Sequence, residues 1–123
     1  MKKHFVILSL IIVSLLSWNR AQAISFVEGL EDVPLAEGLA PVENGVLTFG
    51  NEETRLIEAY FTSQTTNFEA VASFYKNTLA QMGWILKNQT SGRLVFEREG
   101  ELMEINQEHL RPFVVRLTVK SKN

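Results

Sequence analysis

Cysteine is absent from the 123 residues. No disulfide can staple this chain, and no thiolate can serve as nucleophile or metal ligand. Histidine is nearly absent, with His4 and His109 alone, and aspartate occurs once, as Asp32. A dedicated metal centre or a histidine-based acid–base pair therefore lacks its usual parts. No Gly-x-Ser-x-Gly elbow is present for an α/β-hydrolase nucleophile, and no glycine-rich run joins a strand to a helix to cradle phosphate. Catalytic residues, metal ligands and cofactors are accordingly expected to be none.

Long apolar runs are also scarce, and the one present lies at the front. Lys2 and Lys3 precede Phe5 to Trp18, about 14 residues that are almost wholly apolar, and Ala21-Gln22-Ala23 follows. That order of positive start, apolar core and small-x-small end is a secretory signal, expected to be cleaved after Ala23. The run falls short of the roughly 20 residues that span a bilayer as a helix, so no stable membrane insertion is expected after cleavage. A retained N-terminal tether is the competing reading. The division expected is a signal peptide over 1–23, an irregular arm over 24–45 and a folded domain over 46–123.

Positive charge is in short supply once the signal leaves. Lys2, Lys3 and Arg20 go with it, so nine of 12 basic residues face all 14 acidic ones, a net charge of −5. The remaining Lys and Arg are scattered, whereas a phosphate backbone or an anionic membrane needs them clustered. Nucleic acid is not an expected partner. A mature chain of about 100 residues suits one small domain that relies on its apolar core.

Within that chain the arm has two prolines, three glycines and no sustained period, and Phe26, Leu30, Leu35 and Leu39 are its expected docking residues. Asn44-Gly45 reads as a turn. Val46 to Phe49 and Arg55 to Thr62 alternate as strands. In "NFEAVASFYKNTLAQMGW" the apolar residues Phe68, Val71, Ala72, Tyr75, Leu79 and Met82 recur at three and four, the spacing of one helix face. Thr66 with Glu69 forms the pattern of a capping box, and Gly83 stands where a left-handed helix cap belongs. The aromatics of this stretch are expected to pack as core, with Trp84 turned back under the helix.

Period two then takes over. Trp84 to Asn88, Arg93 to Arg98, Glu101 to Gln107 and Phe113 to Lys120 read as four further strands. A two-residue turn at Glu99-Gly100 sets Leu94 opposite Ile105, Phe96 opposite Met103 and Arg98 opposite Glu101, with an ion pair expected at the tip. The fold class expected is α+β, a single helix packed on an antiparallel meandering sheet in the order ββαββββ.

The sheet face turned from the helix should carry Leu56, Tyr60, Val95, Leu102 and Val114 beside Glu58, Glu97, Glu104 and Arg116. Apolar groups gathered on a wet face mark an interaction surface. The binding residues expected are Tyr60, Glu97, Leu102, Glu104 and Arg116, and the partner expected is an envelope protein. A small enzyme or enzyme inhibitor using the charged hairpin 97–104 is the alternative.

The segment "FYKNTLAQMGW" resembles a class of small exported proteobacterial envelope proteins with an aromatic pair, a leucine four residues on and a Gly-Trp closing the helix. Phe74, Tyr75, Leu79, Gly83 and Trp84 match it, and "DVPLAEGL" and "FEREGELMEI" extend the likeness over most of the mature chain. The resemblance implies a periplasmic or extracellular location and this fold, and no activity.

Export is directly testable. N-terminal sequencing of the secreted protein should find Ile24, and Ala23→Phe should leave an uncut, membrane-held precursor. An intact Met1 on the secreted protein would exclude cleavage.

Overall fold

The computed structural model describes residues 25–51 and 54–122. The signal segment therefore lies outside the described residues. A short hairpin, β1 (Phe26–Val27) and β2 (Leu30–Pro34), opens the structure. Then come β3 (Ala40–Gly50), β4 (Arg55–Ser63), α1 (Phe68–Gln81), β5 (Ile85–Thr90), β6 (Arg93–Arg98), β7 (Glu101–His109) and β8 (Phe113–Ser121). The last seven elements give the order ββαββββ, one helix against a six-stranded sheet ordered β3-β4-β8-β7-β6-β5.

Every neighbouring pair in that sheet is antiparallel. Counting along it, β4 and β5 run the same way although four positions apart. Their connection must bring the chain back down the sheet as well as across it. The 14 residues of α1 rise about 21 Å, enough for that diagonal return. The chain then meanders through β5 to β8 until β8 zips onto β4.

Local chemistry sets the helix ends. Asn67, in an extended conformation, accepts the Ala70 N–H on its side-chain oxygen at 2.9 Å. The cap is thus Asn67, not the expected Thr66, because only Asn67 is placed one residue before the first helical turn. At the other end Trp84 N–H reaches Leu79 O at 3.0 Å and Gly83 N–H reaches Ala80 O at 3.3 Å. Gly83 has φ +90°, so this is the left-handed Schellman closure that glycine permits. The Arg98 guanidinium adds a bond to Met82 O at 3.1 Å, a cation at the negative end of the helix.

The expected face of α1 is the buried one: Phe68, Val71, Ala72, Tyr75 and Leu79 are all covered. They meet alternate residues of the sheet, including Ile57, Phe61, Leu94, Phe96, Met103, Ile105 and Leu117. Trp84 is 3% exposed, and Arg98 stacks over its ring at 4.4 Å. Its indole N–H has no hydrogen-bond partner among the described residues, so packing and the stacked cation hold the ring.

The arm departs from the expectation. Residues 26–34 form a hairpin and β3 begins at Ala40, so the described part of the arm, 25–45, packs into the same core as the rest. Val27, Leu30, Val33, Ala36 and Leu39 are buried, while Phe26 is exposed and Leu35 only partly covered. Asn44 does take a positive φ, +58°, but inside β3. The register there steps from Pro41↔Phe61 to Val46↔Ala59, so Val42 to Gly45 bulge out against Tyr60 instead of turning the chain.

Tyr75 ties the arm to the helix. Its phenol donates to Pro34 O at 2.9 Å and accepts from Ala36 N–H at 3.2 Å. Burial pushes this phenol up to about 12, against a smaller lowering by the Ala36 bond. Because the folded value exceeds the unfolded one, near 10, the neutral phenol stabilises the fold fully below pH 10, and that contribution is lost as pH rises towards 12. Tyr75→Phe should cost about 1–3 kcal/mol at neutral pH by stranding the Ala36 amide. It should also flatten the alkaline limb of a urea-melt series between pH 9 and 12. An unchanged limb would show that the phenol does not hold the arm.

Candidate functional site

The outer face of the sheet is built by the residues that alternate with the core. Register places Phe49 beside Leu56, Leu56 beside Lys120, Lys120 beside Leu102, Leu102 beside Glu97 and Glu97 beside Ile85. One row therefore crosses all six strands, and four of its six side chains are apolar. The next row runs Leu47, Glu58, Thr118, Glu104, Val95, Asn88. The third sets Tyr60 beside Arg116 and Arg116 beside Asn106.

The five expected residues all fall on this face. Tyr60 and Arg116 are direct neighbours, as are Leu102 and Glu97, and Glu104 lies in the row between. All five are half-buried. They line an ionic surface, since each charge has a counter-charge. Glu97 meets Lys122 at 2.6 Å, and Glu104 meets Arg93 at 3.1 Å and Lys120 at 3.3 Å. Arg116 Nε lies 2.7 Å from Glu108 Oε1, off the axis of its N–H, which makes a close ion pair without a hydrogen bond. The Tyr60 hydroxyl is 3.5 Å from Glu58 Oε2, a long contact.

Electrostatics keep these carboxyls ionised. The Lys122 hydrogen bond holds Glu97 below the usual carboxylate range, against a smaller opposing effect of desolvation. For Glu104 partial burial is the largest single influence and pushes upward, but Lys120 and Arg93 together outweigh it, and the net is a lowered value. A general acid at neutral pH needs the opposite shift. Among the described residues no three His, Asp or Glu side chains gather to hold a metal ion. His109 Nδ1 is 2.9 Å from Pro112 O, in the β7–β8 connection. Ser73 and Lys76 stand at a Ser-x-x-Lys spacing. Ser73 is exposed on α1, away from its buried stripe.

The hairpin tip corrects one expectation. Glu99 and Gly100 have φ +47° and +82°, the type I′ turn, and the register Arg98↔Glu101 is as expected. The ion pair between them is absent. Glu101 is instead held by Arg55 of β4 through two bonds, Nε–Oε2 at 2.5 Å and Nη2–Oε1 at 2.8 Å. Arg98 reaches Asp32 of the arm at 2.8 Å. The hydrogen bond to Glu101 raises the Arg55 guanidinium further, against the opposing effect of burial. This pair edges a cleft of about 860 Å³ with Thr48, Phe49, Asn51 and Ser121 on its rim.

Three exposed residues on this face were missed: Ile85 at 63% on β5, and on β3 the pair Leu47 at 45% and Phe49 at 56%. Alternation in "VLTF" pairs them on one side. What sequence cannot supply is that β3 is an edge strand, so that they lack a neighbour on one flank.

Glu104→Gln should cost about 1 kcal/mol at pH 7, near the top of the range for surface ion pairs, since it leaves Arg93 and Lys120 without their carboxylate. The Glu104 side chain is only 16% exposed, so its loss is felt more than that of a fully solvated carboxylate. With its folded pKa below the unfolded 4.5, the contribution is full above pH 4.5 and fades as pH falls through the folded value. Urea melts of wild type and variant should therefore converge in acid, with Glu97→Gln near wild type throughout. A constant gap down to pH 2 would exclude the ionic origin.

No known protein family, curated protein or solved structure matches this chain.

Proposed function

We propose that this chain is an exported, non-enzymatic binding module of a bacterial cell envelope, and that a protein partner docks on the outer face of its sheet. One observation carries the reading. The row Phe49, Leu56, Lys120, Leu102, Glu97, Ile85 crosses six strands on a face that no described element covers. Phe49 and Ile85, at its two ends, are 56% and 63% exposed. Isolated exposed apolar groups are ordinary on soluble domains, but an apolar band rimmed by ion pairs has the composition of a protein interface.

The signal-like start and the resemblance to exported envelope proteins support a periplasmic or extracellular location. The lowered carboxyls favour binding over acid catalysis by the hairpin. The balanced charge of the face, with Glu97, Glu104 and Glu108 against Arg93, Arg116, Lys120 and Lys122, favours a protein over a polyanion.

The test is capture from the organism's own envelope extract on the immobilised exported protein, with bound proteins identified by mass spectrometry. Tyr60→Ala with Leu102→Ser should reduce retention of a specific protein about tenfold or more, a loss ordinary for interface truncations, while circular dichroism stays native. Retention at the wild-type level by the folded double variant would rule out this face.

A further inference from the structure

The sheet has two free edges, and the chain treats them differently. Edge strands expose unpaired backbone N–H and C=O groups, and proteins usually blunt them with bulges or lysine. On β5 the register slips between Leu86 and Asn88, so Lys87 is left in a bulge in the middle of the strand. On β3 the bulge, Val42 to Gly45, follows only Ala40 and Pro41, and Val46 to Gly50 then pair with β4 residue for residue. That run, Val-Leu-Thr-Phe-Gly, has no charge and no proline. Leu47 to Gly50 are exposed, and Leu47 and Phe49 stand on the outer face at the start of its first two rows.

Charge decides what fits there. Seven acidic residues and no Lys or Arg lie between Ser25 and Thr54. Of these, Glu28, Glu37 and Glu43 are exposed, and Glu43 sits in the β3 bulge itself. A second copy of the chain would bring the same acidic third against this one. A segment with basic ends would meet it with opposite charge.

We infer that an extended segment of a partner protein adds to the sheet along the edge of β3 at Val46–Gly50. It carries apolar side chains at alternate positions, to continue the rows begun by Leu47 and Phe49, and Lys or Arg at its ends. Main-chain bonds supply affinity and alternate side chains specificity in such strand addition. The inference rests on the reading of the chain as a binding module and names how its partner engages.

The probe is the synthetic peptide KKVTVTVKK, compared with EEVTVTVEE and with KKVTVTVKK methylated at alternate backbone nitrogens. Each is titrated into the exported, isotope-labelled protein by anisotropy and NMR. The basic peptide should bind about tenfold or more tightly than the acidic one, and the difference should shrink in about 0.5 M salt as charges are screened. Amides of Leu47 to Phe49 should shift and exchange more slowly with solvent, and the methylated peptide should not bind. Thr48→Pro should abolish binding; should that variant unfold, the methylated peptide alone decides.

The inference is overturned by equal binding of the methylated or acidic peptide. It is equally overturned by shifts confined to β5, by no binding up to about 1 mM, a very weak limit, or by dimerisation of the protein through β3. Peptide failure with envelope capture still dependent on Tyr60 and Leu102 removes β3 and leaves the binding module standing. Intact peptide binding without that capture dependence does the reverse.

Discussion

A six-stranded sheet is too wide for one helix to cover, and most of this structure follows from that. Five strand spacings make about 24 Å, while a helix with its side chains is about 10 Å across. Had α1 been the sole cover, part of the apolar inner face would be left in water. The arm supplies the missing cover: Gly29 lies over Ile57 of β4 and Asp32 reaches Arg98 of β6, so it spans the inner face. The joint between the two covers is Tyr75. It is a helix residue whose hydroxyl closes on arm backbone at Pro34 and Ala36. Phenylalanine could fill the same volume but would leave a buried amide unpaired. The hydroxyl couples helix, arm and sheet into one packed unit, and the Asp32–Arg98 pair fastens the arm beside Trp84.

With helix and arm both committed to the inner face, nothing in the described chain is left for the outer one. That face is therefore compelled to be wet, and its ion pairs meet the requirement: Glu104 alone serves Arg93 of β6 and Lys120 of β8. Such cross-strand pairs keep half-buried charges satisfied, but they do not hide the apolar row beside them. Leu56 and Leu102 gain partial cover from long neighbours such as Lys120, whose stem can lie along apolar surface. Phe49 and Ile85, at the sheet's two edges, have a neighbour on one side only and stay exposed.

What could be read from sequence divides along the same physical line. The β6–β7 hairpin was fully legible, because its turn, Glu99-Gly100, and its alternation agree on one register. The helix face and its Gly83 closure were legible for the same reason, since both are set within a few residues. The outer-face set Tyr60, Glu97, Leu102, Glu104 and Arg116 followed from period two alone. The failures are non-local. Arg98 and Glu101 stand opposite each other, yet each is claimed by a better partner, Asp32 from the arm and Arg55 from β4. Only the β4-β8-β7 adjacency brings Arg55 there. The arm was misread because its glycines and prolines mask strands two and five residues long. Gly29, with φ +83°, is the turn of a hairpin, and Pro34 ends a strand where it need not donate.

Charge in this chain is segregated by position, and packing preserves the segregation. Residues 55–123 hold seven acidic and nine basic side chains, so all of the negative surplus of residues 24–123 lies before Arg55. Docking the arm neutralises little of it. Asp32 pairs with Arg98, whereas Glu28, Glu37 and Glu43 face solvent. Apolar side chains, one phenol and the Asp32–Arg98 pair hold the arm down, and the three exposed glutamates take no part. Solvated carboxylates of this kind contribute little to a fold's stability. A surface field of one sign acts instead at long range, on the rate and specificity of encounters with opposite charge.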